Sequence, residues 1–354
     1  MTTLVYIGSY THKGGDGIAI YEFDGASGAL TQIGSAKSDN ASFLAIDPAK
    51  QFLYAVSEVG QFEGEPTGAV SAFKIDQETG LLTFLNQQVS HGQAPCHLTV
   101  GSEGHVYVAN YSSGTAVVFE THRDGSLEPA GDVVQHTGSG PDERRQKGPH
   151  AHSVTLSPDG TRLYVMDLGI DKLMIYDLSG DPGKLTPNEP AFVEVAGGSG
   201  PRHFAFHPNG AYAYVINEMG NTITAFAHDP ATGNLTALQT VPTLPEDFAG
   251  NNTTADIHVH PSGRFLYGSN RGHDSIVVYA IDEDGALSYV DTTPSGGQTP
   301  RNFALDPTGK WLLAAHQNTD NVVVFSIDAG TGKLSPTGIE ISVPMPVCVK
   351  FLVR

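Results

Sequence analysis

Short apolar runs rich in Val, Ile, Tyr and Phe succeed one another along the whole chain, each ended by Gly, Asp, Asn or Pro. β-Branched and aromatic residues bounded by turn formers mark strands and hairpins, and no stretch carries the 3.6-residue period of an amphipathic helix. One unit recurs. It holds a short apolar strand, Pro-x-Gly or a variant, an aromatic-rich strand (FLYAVSE, VYVANY, LYVMDL, AYVINE, LYGSNR, LLAAHQ), a third strand (AVSAFKID, AVVFET, LMIYDL, ITAFAHD, IVVYAID, VVVFSID), and Asp-x-x-Thr-Gly-x-Leu or similar. The turn anchor stands at Pro48, Ser102, Pro158, Pro208, Pro261 and Pro307, a period of roughly 50 residues, as in four-stranded propeller repeats.

Six whole units are visible, and two fragments make a seventh. LVYIGSY followed by GIAIYEFD matches the second and third strands of a unit, and the segment from Met345 to Phe351 matches the first. A unit split between the two ends of a chain is what a closed ring needs and has no use in an open β-solenoid. The expected fold is all-β: a seven-bladed β-propeller, residues 1–354 as a single domain, its ring closed by the C-terminal strand completing the N-terminal blade.

Composition then removes other classes. With 39% hydrophobic and only 16% charged residues, the chain is neither disordered nor coiled-coil. A formal net charge of −19 without a basic stripe argues against nucleic acid and against anionic membranes, though an acidic shell leaves room for a local basic pocket. Two cysteines, Cys96 and Cys348, lie far apart with no CxxC spacing, so neither a disulfide framework nor a structural zinc site is expected. The first residues enter a strand with no basic region or long apolar run; no signal peptide or transmembrane helix is expected, and the expected location is cytoplasmic. Nothing in the sequence singles out a protein partner.

Aligning the units turns sequence into geometry. Just before the apolar part of the first strand, the equivalent positions are Ser42, Cys96, His152, Arg202, Ala255, Arg301 and Val347. The next column is Phe43, His97, Ser153, His203, Asp256, Asn302 and Cys348. The end of the second strand gives Tyr10, Glu58, Tyr111, Leu168, Glu218, Arg271 and Gln317. The start of one antiparallel strand lies beside the end of its partner, so all three columns fall on one rim, at the mouth of the central channel. On one side of that rim gather His150, His152, Arg202, His203, Glu218, Asp256, His258, Arg271, Arg301, Asn302 and His316. Three arginines there, in a chain with only 19 Lys and Arg, point to a small anionic or carbonyl ligand, because a guanidinium offers a planar fork to carboxylate or phosphate. Glu58 sits on an otherwise apolar blade and reads as structural, and Asp142-Glu-Arg-Arg-Gln-Lys147 reads as a solvated loop.

At these residues the chain resembles the lactonase family of seven-bladed propellers, which embraces sugar-lactone hydrolases and muconate lactonizing enzymes. The matching blocks are VYIGSYT near the start, GPHAHSVTLSPDG at 148–160, GSGPRHFAFHPNG at 198–210, Asn217-Glu218, ADIHVHPSGRFLYGSNR at 255–271 and TPRNFALDPTGKWLLAAHQ at 299–317, and they span essentially the whole chain. The resemblance implies a catalytic cluster of His152, Arg202, Glu218 and Arg271.

The expected activity is hydrolysis of a sugar lactone, 6-phosphogluconolactone first. Glu218 or His152 would take a proton from water, and Arg202 and Arg271 would stabilise the oxyanion. His150, His203, His258, Arg301, Asn302 and His316 are the candidate substrate-binding residues. No GxSxG or Ser-His-Asp arrangement supports an acyl-enzyme. No cofactor is expected, and no metal, because Glu58, Glu218 and Asp256 come from separate blades with arginines between them. The alternatives are a muconate-type cyclisation using the same arginines, and a non-catalytic propeller that binds an anionic metabolite or a protein.

Overall fold

A computed structural model describes residues 3–354. Its 28 strands form seven four-stranded antiparallel sheets, with no helix among the described residues. The sheets are the seven blades of a β-propeller. Blade 1 joins the two ends of the chain: the C-terminal strand Pro346–Val353 pairs with Thr3–Ser9 in a register running from Thr3↔Val353 to Gly8↔Cys348. The split unit read from the sequence is thus the closure of the ring.

The innermost strands of blades 2 to 7 are Leu44–Ile46, Pro95–Val100, Ala151–Leu156, Pro201–Phe206, Thr253–Val259 and Pro300–Leu305. Second strands such as Phe52–Ser57 and Arg162–Asp167 are buried almost throughout, because both of their faces meet a neighbouring blade. The outermost strands alternate between buried or half-buried and exposed positions, as Leu127–Gln135 does, since one face meets water.

The recurrent aromatic and the recurrent Asp-x-x-Thr-Gly turn meet between blades. The second-strand tyrosine of each of the first six blades donates its hydroxyl to the turn of the next: Tyr6 to Gly80, Tyr54 to Gly125, Tyr107 to Pro182, Tyr164 to Gly233, Tyr214 to Gly285 and Tyr267 to Gly332, all carbonyl oxygens at 2.6–3.1 Å. Between blades 7 and 1 the bond comes instead from Trp311 Nε1 to the Gly25 carbonyl at 3.0 Å. The turns are built for this approach. Asp328 Oδ1 accepts from Gly330 N, Thr331 N and Thr331 Oγ1, while Gly332 sits at φ +74°, where a Cβ would stand 2.5 Å from the Phe265 ring.

One feature of the inner strands has no signature in the sequence. Each of blades 3, 4, 5, 7 and 1 carries an extra residue at the same place, between Pro95 and His97, Ala151 and Ser153, Pro201 and His203, Pro300 and Asn302, and Pro346 and Cys348. In blade 6 the pairing slips between Thr254 and Ile257. These are β-bulges, which interrupt the strand's alternation and re-aim side chains. They bring the first two aligned columns together at the channel: the His152 and His203 rings lie 5.4 Å apart, and His97 and His203 5.2 Å apart.

Candidate active site

At the mouth of the channel the bulges and the ends of the second strands enclose a cavity of about 240 Å3 lined by Glu58, Cys96, Tyr111, Arg145, His152, Glu218, Arg271 and Arg301. Wider clefts of about 350 and 400 Å3 lie elsewhere, one lined by small and polar residues such as Gly15, Asp16 and Ser35 and one by apolar residues such as Leu244, Tyr279 and Tyr289. Neither gathers titratable groups of both signs as the channel mouth does.

Glu218 is the hub. Its Oε2 accepts from Arg202 Nε at 3.0 Å and faces Arg271 Nη2 at 2.8 Å, while Oε1 accepts from Arg145 Nη2 at 2.7 Å. Burial by itself would raise its pKa, but the Arg271, Arg202 and Arg145 charges outweigh burial and hold the carboxyl well below the ordinary range. Glu218 is therefore an anion whose oxygens are occupied by guanidinium groups, a poor position from which to accept a further proton.

His152 stands in the opposite condition. Burial first, then the positive charges of Arg202, Arg301 and Arg271, push its pKa well below 6.5. It is a neutral imidazole at pH 7, with Nδ1 3.9 Å from Cys96 Sγ. The Cys96 thiol is itself raised, chiefly by burial, and Sγ lies 3.2 Å from the His152 carbonyl oxygen, so it remains an unreactive thiol.

The arginines divide into two kinds. Arg202 is only 2% exposed and does not reach the cavity wall: Nη1 donates to the Ala255 carbonyl and to His203 Nε2, and Nε to Glu218. Its place is behind Glu218. Arg271 shares one nitrogen between Glu218 and the Thr254 carbonyl, and its buried Nε has no partner. Arg301 lies over the Tyr10 ring at 5.7 Å, and no protein group among the described residues accepts a hydrogen bond from it. Arg301, and Arg271 through Nη1, which makes no hydrogen bond to a described residue, thus bring unused donors to the wall. On the far side the Tyr10 hydroxyl donates to Glu58 Oε2 at 2.9 Å.

Beneath Arg202 runs a chain of hydrogen bonds. His203 Nδ1 meets Asp256 Oδ1 at 2.7 Å, and His258 Nε2 meets Asp256 Oδ2 at 3.0 Å; Asn302 Nδ2 and the Ile257 and Phe303 amides also point at this carboxylate. The His258 and His203 contacts outweigh burial and hold Asp256 well below the ordinary carboxylate range. Burial, aided by Arg202, lowers His203 to about 4. His203 is therefore the neutral tautomer with hydrogen on Nδ1, leaving Nε2 to accept from Arg202.

Of the residues expected from sequence, His152, Glu218, Arg271 and Arg301 line the cavity. Arg202, His203, His258 and Asn302 form the support below it. His150 lies behind the wall, its ring stacked on Tyr111 at 4.6 Å and its Nδ1 2.9 Å from the Tyr111 carbonyl. His316 is fully buried and packs near Gly297, Thr319 and Asn321 in blade 7; it directly precedes the aligned column, at the position that Asn110, Asp167, Asn217 and Asn270 fill in other blades. Tyr111, Glu58 and Cys96 stood in the aligned columns without being singled out for the site. Arg145 belongs to the run read as solvated loop. Among the described residues no three His, Cys, Asp or Glu side chains gather as a metal-binding group, and no helix is long and apolar enough to cross a membrane.

A closed propeller whose channel mouth sets a neutral histidine among arginines has the architecture of a ring-shaped enzyme of small-molecule chemistry. Residues 4–351 match the model of the lactonase family of seven-bladed β-propellers, and the chain belongs to that family. It is 41% identical to a 6-phosphogluconolactonase of Bacillus subtilis across 98% of this chain and 97% of that one. It is 36% identical to a protein of the same name from Formosa agariphila across 84% and 85%. The structure of a periplasmic gluconolactonase from Pseudomonas aeruginosa superposes with a TM-score of 0.94 at 33% identity, covering 100% of this chain and 99% of that one.

Proposed function

We propose that the channel-mouth cavity hydrolyses a sugar δ-lactone, with 6-phosphogluconolactone as its substrate and His152 as the general base. The observation that carries this reading is the contrast between His152, neutral, and Glu218, an anion held by three arginines. Water attacks the lactone carbonyl carbon and gives a proton to His152. The carbonyl oxygen becomes an oxyanion facing the free donors of Arg271 and Arg301. Collapse breaks the ring C–O bond, and the departing alkoxide takes the proton back from the imidazolium. The product acid then ionises.

Glu58, whose Oε2 accepts from Tyr10, keeps a carboxylate oxygen for a sugar hydroxyl and brings to the wall a negative charge that no arginine pairs, which disfavours the polycarboxylate of a muconate-type reaction. The names of the relatives support a lactone substrate, and the reading is completed by a cytoplasmic location and a single propeller domain.

The test follows proton release from fresh 6-phosphogluconolactone in metal-free buffer, corrected for spontaneous opening. Acceleration by the wild type that is lost in His152→Gln and Arg271→Ala supports the reading. Acceleration that survives His152→Gln removes His152 as the base. No acceleration at all points to a binding protein or another substrate.

A further inference from the structure

We propose that Arg145 is a specificity-determining residue that holds the anionic end of the substrate at the mouth of the cavity. The inference rests on the lactonase reading above and deepens it.

Around the rim, the ends of the second strands bring Glu58, Tyr111, Glu218 and Arg271 to the cavity from blades 2, 3, 5 and 6. Blade 4 brings Leu168, which is fully buried and leaves that sector without a polar group. Arg145 fills the gap. It comes from the connection between blades 3 and 4, outside the repeating unit.

That connection is a built element rather than a solvated one. Gln146 is fully buried, its Nε2 donating to the Leu168 carbonyl at 2.8 Å and its Oε1 accepting from Asp142 N at 3.1 Å. Asp142 Oδ1 in turn accepts from the Arg144 and Arg145 amides at 2.8 and 2.9 Å. At Gly140 a Cβ would stand 2.4 Å from Gln146 Oε1, so the backbone closes tightly around that side chain. The turn is clamped to blade 4 and presents Arg145 at a fixed place, whereas Arg144 and Lys147 beside it are exposed and carry no such contact.

The guanidinium of Arg145 spends one nitrogen on Glu218 Oε1 and the Tyr111 hydroxyl, at 2.7 and 3.1 Å. Its Nε and Nη1 have no partner among the described protein groups. Its side chain is 40% exposed, against 12% for Arg271 and 2% for Arg202. This difference assigns the two ends of the substrate. A phosphate dianion loses much hydration when buried, so it is held at lowest cost where water still reaches it and a planar fork is free. The uncharged lactone ring takes the deeper place beside His152, Arg271 and Arg301. One ligand then uses the cavity from mouth to floor, charged end outward.

The experiment compares wild type, Arg145→Ala and Arg145→Lys by calorimetric binding of 6-phosphogluconate and of gluconate, alongside turnover of the two corresponding lactones. Arg145→Ala is expected to weaken 6-phosphogluconate at least about tenfold more than gluconate, the size of one charge-assisted contact, with Arg145→Lys recovering part of the loss. The same selective change should appear in KM for the phosphorylated lactone more than in kcat. Equal weakening of both ligands, or none, overturns the proposal. Turnover by the wild type judges the lactonase reading separately, because the binding ratio does not require hydrolysis.

Discussion

Arg202 touches the cavity wall through Glu218: its Nε lies 3.0 Å from Glu218 Oε2, and its own guanidinium is buried behind the wall. Its remaining contacts go to Ala255 and His203, and Asp256 fixes His203. Three residues of the channel therefore aim one carboxylate.

This chain predicts that Asp256→Asn lowers kcat by about tenfold or more with little change in KM, although Asp256 does not line the cavity. Arg202→Lys keeps the charge but not the fork, and should combine a similar kinetic loss with a destabilisation of about 1–3 kcal/mol from the buried acceptors it leaves unpaired. Steady-state kinetics and urea denaturation of both variants check this. Unchanged kcat in Asp256→Asn would show that His203 and Arg202 hold their places without it.

The depressed pKa of His152 sets the pH profile. Its reactive form is the neutral one, and it persists well below pH 6.5. After subtraction of spontaneous opening, kcat/KM should stay flat from pH 8 down through 6.5 and fall only at lower pH. A half-maximal rate near 6.5 would mean that the base is a group of ordinary histidine acidity.

Stability should show the same groups with a definite sign. Burial is the leading cause that lowers His97, His152 and His203 in the fold. Below about pH 6.5 the unfolded chain takes up protons that the folded chain refuses, so stability is full above that pH and is lost as the pH falls toward the folded pKa values. Each such histidine contributes a slope of up to about 1.4 kcal/mol per pH unit in that window. Urea midpoints at pH 7.5 and 5.5 should differ in that direction, and His97→Gln should reduce the difference.

The joints between blades predict a stability effect without a kinetic one. Tyr164→Phe removes the donor to the Gly233 carbonyl and the partner of His228 Nε2, leaving two buried polar atoms unpaired. A loss of about 1–3 kcal/mol is expected, with kcat unchanged at 25 °C. Chemical denaturation beside an activity assay checks both halves.

The ring and its closure were legible because each blade repeats one pattern, and repetition let seven weak strand signals reinforce one another. The same alignment found His152, Glu218, Arg271 and Arg301, since equivalent positions share one rim. It erred where local backbone breaks the alternation. His316 directly precedes its column and points away from the cavity, and the bulges that aim His203 and Asn302 inward into a buried network have no composition of their own. Arg145 was invisible for a different reason. It lies in the longest of the connections between blades, so there was no column in which to compare it, and the charged run around it looked like ordinary surface.

Six joints of the ring are closed by tyrosine and the seventh by Trp311, the one tryptophan of the chain, bonded to Gly25 where blade 7 meets blade 1. Blade 1 is also the blade within which the two ends of the chain pair. The indole's emission therefore belongs to a single seam of the ring. A red shift on mild denaturant would signal the parting of that seam, before or apart from the collapse of the other blades, and the protein carries its own fluorescent reporter of closure.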